Sequence, residues 1–219
     1  MKLILLLFNS NKNNNRAIII MCVYCVVLLI IRAQLTQNIF LFFLIWNLFL
    51  AIIPYTLIMY LKLQDIVKNS KIKTCIIITV WLAFLPNSFY IITDLVHLSL
   101  SHPATFWFDL TVISSFAFVG FFVGMQSILE FEKILLTVYN KKILIIIIPM
   151  VCFLCGFGIY LGRILRYNSW DIISNPTQLI VDIGIQLITI KTILFSIHFG
   201  LFIYLFYISK KIIFNTKSN

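Results

Sequence analysis

Charge is scarce in this chain. Only 11% of its 219 residues are Asp, Glu, Lys or Arg, against 62% apolar, and the mean hydropathy is +1.05. A soluble domain carries about a quarter charged residues, and no polar stretch long enough to fold as one is left over. Residues charged at neutral pH are also missing from the middle of every long apolar run, which argues against a proton or ion pump. The runs show no repeated halves, so the broken-helix plan of many permeases finds no support. No secretory leader is expected either. The opening MKLILLLF has an apolar part of only Leu3 to Phe8, shorter than the roughly 7 to 15 residues such a region needs. The polar NSNKNNNR follows, with no small-residue cleavage site, so an N-terminal tail and a retained first span are expected.

Acids number seven against seventeen basic residues, a net charge of +10. Such a surplus would suit a nucleic-acid binder, because clustered Lys and Arg release phosphate counterions. Here the basic residues fall in short groups between apolar runs, such as Lys68, Lys71, Lys73 and Lys210, Lys211, the pattern of loops that fix membrane orientation. No compact basic domain carries them, so nucleic acid is set aside as a partner. The expected surroundings are a lipid bilayer. A homo-oligomer or a membrane-protein partner is left open, and so are cofactor and metal.

What the chain does have is apolar length. A hydrocarbon core of about 30 Å takes about 20 helical residues to cross, and six runs suffice, near 17–35, 39–61, 74–93, 107–130, 142–162 and 191–209. The expected fold is all-α: a polytopic membrane helix bundle, one integral membrane domain over 1–219, with six transmembrane helices. With both termini cytoplasmic, thirteen basic residues fall inside, and Arg32, Arg163, Arg166 and Lys191 fall outside, as the positive-inside rule asks. Asp94, Asp109, Asp171, Asp182, His97 and His102 gather on the outer side, beside Trp107, Tyr160, Tyr167 and Trp170 at headgroup level.

The third run ends as WLAFLPNSFYIITDLVHL, residues 81–98. Pro86 lacks an N–H and clashes with the preceding turn, so a kink is expected. The freed carbonyls then need Asn87, Ser88 or a water, which admits a small polar cavity as readily as plain helix gluing. Asp94 lies about 10 Å beyond Asn87 along a helix, at the outer boundary. Asp94 and His97 are spaced i, i+3. If the helix continues they share a face and suit acid–base work or part of a metal site. Further metal ligands would have to come from Asp109, His102 or His198, which nothing in the spacing enforces. The plainer alternative is a surface loop with an incidental ion pair.

At the end of the fifth run, YLGRILRYNSWD spans residues 160–171. Arg163 and Arg166 repeat the i, i+3 spacing, and two guanidiniums on one face grip phosphate or carboxylate. Their available counter-ions are Asp94, Asp109 and Asp171, so an anion site and an interhelix salt-bridge lock are both open.

These two stretches, with WFDL at 107–110, resemble the bacterial membrane family catalogued as domain of unknown function 1361. The resemblance implies a cell-membrane location and a shared pattern of Pro86, Asn87, Tyr90, Thr93, Asp94, His97, Asp109, Gly162, Arg163, Arg166, Asn168, Trp170 and Asp171; it implies no activity.

Weaker features complete the reading. Gly120 with Gly124, and Gly158 with Gly162, form G-x-x-x-G, so the fourth and fifth spans are expected to pack through these faces. Cys22, Cys25, Cys152 and Cys155 form two C-x-x-C pairs inside spans, where cysteine serves as a small apolar residue. Asp182, Gln186 and Thr189 share a helical face. A helix running from there through Ser209 would be too long for one straight span, so an outer interfacial helix turning near Lys191 is expected before the sixth.

The functional expectation is an outer polar site for an anionic or lipid-linked substrate. Asp94, His97 and Asp109 are its catalytic candidates, and Asn87, Arg163, Arg166, Asn168 and Asp171 its binding candidates. The alternatives are a scaffold subunit held by a salt-bridge lock, or a small permease.

Overall fold

Seven helices follow one another in a computed structural model that describes residues 11–63, 70–167, 174 and 176–215. They are α1 (Lys12–Thr36), α2 (Phe43–Leu63), α3 (Lys71–Tyr90), α4 (Phe106–Leu136), α5 (Lys141–Arg163), α6 (Pro176–Leu187) and α7 (Ile190–Asn215). Two 3-10 segments join them, Phe40–Phe42 ahead of α2 and Ile91–Leu100 after α3. Among the described residues six stretches are long and apolar enough to cross a membrane. They overlap all six expected runs, and the third and fourth go further, to Leu100 and Leu136. The fold is therefore an all-helical bundle of the kind a multi-pass membrane protein builds.

Helix ends follow local chemistry. Ser70 caps α3, its Oγ accepting from the Lys73 N–H at 3.4 Å, and Pro176 opens α6 at the position where a missing N–H costs nothing. Gln37 stops α1 by taking a left-handed conformation, φ 49°, and the Asn38 carboxamide then accepts from the Phe40 N–H at 2.7 Å. That short turn folds α2 back after α1.

The chain divides into two compact units, 1–127 and 128–219, with the boundary inside α4. In the first, Leu29 of α1, Leu44 and Leu48 of α2, Ile91, and Ile113 and Phe116 of α4 are fully or almost fully buried together. Polar groups inside it are matched: the Ser88 hydroxyl donates to the Ala51 carbonyl at 2.7 Å, and the Trp81 indole N–H to the Ser127 hydroxyl at 2.8 Å. Gly120 and Gly124 bring α4 onto the end of α3. A Cβ on Gly124 would stand 2.8 Å from the Ser88 Cβ, and one on Gly120 3.0 Å from the Ser88 carbonyl oxygen. The first G-x-x-x-G thus serves a close approach, with the third span as its partner.

In the second unit α5 packs along α7. The close approach there uses Gly156 and Gly200: a Cβ on Gly156 would meet the Ser196 backbone, and one on Gly200 would lie 3.0 Å from the Phe153 Cα. Cys152 and Cys155 are buried on α5, and all five cysteines are free thiols. The chain breaks between α6 and α7, where the Thr192 hydroxyl bridges back to the Gln186 carboxamide at 2.7 Å. At the other end of α7, Lys211 pairs with Glu132, and Lys133 with Glu130 at 2.6 Å.

Candidate functional site: a cavity at the Arg32 end of the first unit

The Asp94–His97 segment is helical but wound tightly. From Ile91 to Leu100 it is a 3-10 helix, three residues per turn with i and i+3 eclipsed, and ten residues is long for that form. Hydroxyls reinforce it. Thr93 donates to the Tyr90 carbonyl at 2.6 Å and Ser99 to the Val96 carbonyl at 2.8 Å, each three residues back. The sequence sorts by threes accordingly. Ile92, Leu95 and Leu98 pack against the core, Val96 and Ser99 are exposed, and Ile91, Asp94, His97 and Leu100 form a line graded from buried to exposed.

Along that line Asp94 is 1% exposed. Its carboxylate accepts from the Asn47 carboxamide N–H at 2.8 Å and lies 4.0 Å from His97 Nε2. The imidazole is held edge-on by two rings, Phe43 at 4.9 Å and Phe40 at 5.8 Å between centroids. A buried carboxylate behind a partly exposed imidazole is an arrangement suited to orienting the ring. No surface loop is involved.

Asp109 is held on the other side. It sits in the first turn of α4, where the helix dipole favours negative charge, and its counter-ion is Arg32 of α1. Arg32 Nε donates to Asp109 Oδ1 at 2.8 Å, Nη2 to Oδ2 at 3.4 Å, and Nη1 to the Asn38 carbonyl at 2.8 Å. The Thr105 hydroxyl lies 3.5 Å from the same carboxylate. Both partners are buried, at 6% and 1% exposure, and no buried side-chain nitrogen or oxygen among the described residues lacks a partner.

Between these two pairs lies a cavity of about 480 Å³. Arg32, Asp109, His97, His102 and Thr105 are among its polar lining residues, and Phe40, Leu41 and Leu100 are its apolar ones. Its size falls in the usual range for small-molecule sites. Among the described residues no three His, Cys, Asp or Glu side chains gather as a metal set.

The other expected binding residues lie elsewhere or arrange differently. Asn87 is half-buried within α3 and donates to the Phe84 carbonyl at 3.0 Å; it does not line the cavity. Arg163 and Arg166 share no helical face. The helix ends at Arg163, Tyr160 accepting the Ile164 N–H at 2.9 Å, and Arg166 is left-handed at φ 62°. Asn168 and Asp171 lie outside the described residues. Two contributors escaped the sequence reading: Arg32 entered it only as one of the basic residues on the outer side, and Asn47 not at all. Both are polar residues on otherwise apolar helices, which is the signal that could have found them.

Residues 46–206 match the profile of the family described as Protein of unknown function (DUF1361). The chain belongs to that family. No curated protein and no solved structure matches it. Within the family's matched stretch fall Asn47, Asp94, His97, His102 and Asp109, whereas Arg32 and Phe40 precede it.

Proposed function

We propose that the cavity is an extracytoplasmic binding or catalytic site for a lipid-linked substrate, with Asp94 and His97 as its acid–base pair. The observation that carries this reading is the meeting of four features around one 480 Å³ space: a buried carboxylate behind His97, a second imidazole at His102, a buried Arg32–Asp109 pair and an exposed apolar wall. The outward assignment is supported by charge. The opposite ends of α1, α2 and α3 carry Lys12 and Arg16, Lys62, and Lys71 and Lys73, while the cavity end holds Arg32, already neutralised by Asp109. Basic residues concentrate on the cytoplasmic side, so in this reading the cavity faces away from it, with both termini on the cytoplasmic side of a cell membrane.

His97 accepts or delivers a proton at the cavity wall, and Asp94 holds the ring and offsets its charge. Asp109 has both carboxylate oxygens engaged by Arg32, so it orients rather than reacts. The reading uses residues of 1–127 alone.

Complementation tests it. In cells lacking the gene, Asp94→Asn and His97→Gln are expected to reach the membrane at normal level and fail to restore whatever trait the deletion removes. Full restoration by both would leave a scaffold held by the Arg32–Asp109 pair, the second reading, which the engagement of Asp109 by Arg32 favours.

A further inference from the structure

We infer that the ligand's head group is uncharged and hydroxyl-rich, a glycosyl unit carried on a lipid chain. This inference rests on the reading of the cavity as a ligand site and names the class of ligand.

Charge is the first argument. Counting histidine as neutral, the lining holds one cation and one anion, Arg32 and Asp109, bound to each other. Asp94 adds a buried negative charge 4.0 Å behind His97. With the imidazoles neutral, a phosphate entering this space would meet a guanidinium already paired with Asp109 and, behind His97, the negative charge of Asp94. Repulsion between like charges in a partly desolvated site outweighs what a shared guanidinium returns.

Hydrogen-bonding capacity is the second. Arg32 uses three of its five N–H groups on Asp109 and Asn38, leaving two. Thr36 spends its hydroxyl proton on the Arg32 carbonyl, and Thr105 spends its own on the His102 carbonyl or Asp109. What these hydroxyls have left is lone pairs. The wall thus holds both donors and acceptors, which suits groups that are both at once, and alcohols are such groups.

The third argument is the apolar side. Phe40 and Leu100 line the cavity and are themselves 47% and 70% exposed, so the cavity wall continues onto the outer apolar surface. Phe40 and Leu100 give the C–H groups of a sugar and an alkyl chain apolar surface to lie against.

Full-length protein in phosphatidylcholine nanodiscs is titrated calorimetrically with hexyl β-glucoside, hexyl β-galactoside and hexyl α-mannoside, and in parallel with hexyl phosphate and free glucose. At least one hexyl glycoside is expected to saturate, with hexyl phosphate and glucose each about tenfold weaker or more. His102→Ala, an exposed position, and Asp109→Asn are both expected to weaken that glycoside; His102→Ala keeps the test valid if the buried variant fails to fold. Tighter hexyl phosphate binding that His102→Ala reduces would overturn the glycosyl assignment and leave the cavity reading standing. Equal binding of free glucose would overturn the lipid chain. Glycoside uptake untouched by His102→Ala would be partition into the bilayer and would overturn the inference. If no probe saturates, the inference also falls, and the Asp94→Asn complementation decides the cavity reading separately.

Discussion

Arg32 and Asp109 stand 77 positions apart in the chain and meet in a two-pronged contact, buried on both sides, that ties the end of α1 to the start of α4. Removing one partner strands a buried charge, whereas removing both leaves a gap that apolar side chains fill. Arg32→Met alone and Asp109→Leu alone are each expected to lower unfolding stability by about 3–5 kcal/mol. The double variant is expected to recover most of it. Stability of the purified protein, measured as a double-mutant cycle in mixed micelles, checks this; strictly additive losses would mean the two side chains do not act as a pair.

Asn47 gives Asp94 a hydrogen bond at 2.8 Å from the neighbouring α2. Asn47→Leu removes the donor and is expected to cost about 1–3 kcal/mol, the penalty of leaving a buried acceptor short. Asp94→Asn keeps an oxygen for the same donor and is expected to cost less. Thermal melts of the two variants rank them, and a milder melt for Asn47→Leu than for Asp94→Asn would contradict the geometry.

Glycines separate by what surrounds them. Gly156→Ala pushes a methyl into the Ser196 backbone, which has no rotamer to escape through, and is expected to destabilise by about 1–3 kcal/mol. A Cβ on Gly184 meets nothing within 4 Å. Gly184→Ala in α6 is therefore expected to be neutral or to stabilise by up to about 1 kcal/mol, since alanine is the better helix former. Equal melting temperatures for the two variants would refute the α5–α7 seam.

Orientation has its own assay. With the native cysteines replaced by alanine, His102→Cys is expected to react with a membrane-impermeant maleimide in intact cells, and Lys71→Cys only after lysis. The reverse labelling would turn the bundle over and put the cavity in the cytosol.

Length and hydropathy are properties of a continuous run, so the six spans were legible without coordinates. So was the Asp94–His97 relation, because a spacing of three places two residues together in either an α or a 3-10 helix. Arg32–Asp109 and Asn47–Asp94 were not, since each joins residues on different helices, and no local spacing records which helices meet. The shared face expected of Arg163 and Arg166 failed for a different reason. It presumed a helix that stops at the first of them, and a left-handed arginine leaves no mark in composition. Gly120 and Gly124 advertise their approach by standing on one helix, whereas Gly156 and Gly200 each supply half of theirs from a separate one.

The tight winding of residues 91–100 makes the engagement of carboxylate with imidazole a matter of pitch. At three residues per turn Asp94 and His97 come round to the same bearing; rewound to about 3.6 per turn, His97 would swing about 60° away from Asp94 around the axis. Rewinding would also shorten the ten residues by about 5 Å, from a rise of about 2.0 Å to about 1.5 Å each, so the pitch of this one segment sets how far α3 stands from α4 as well as how closely acid and base align.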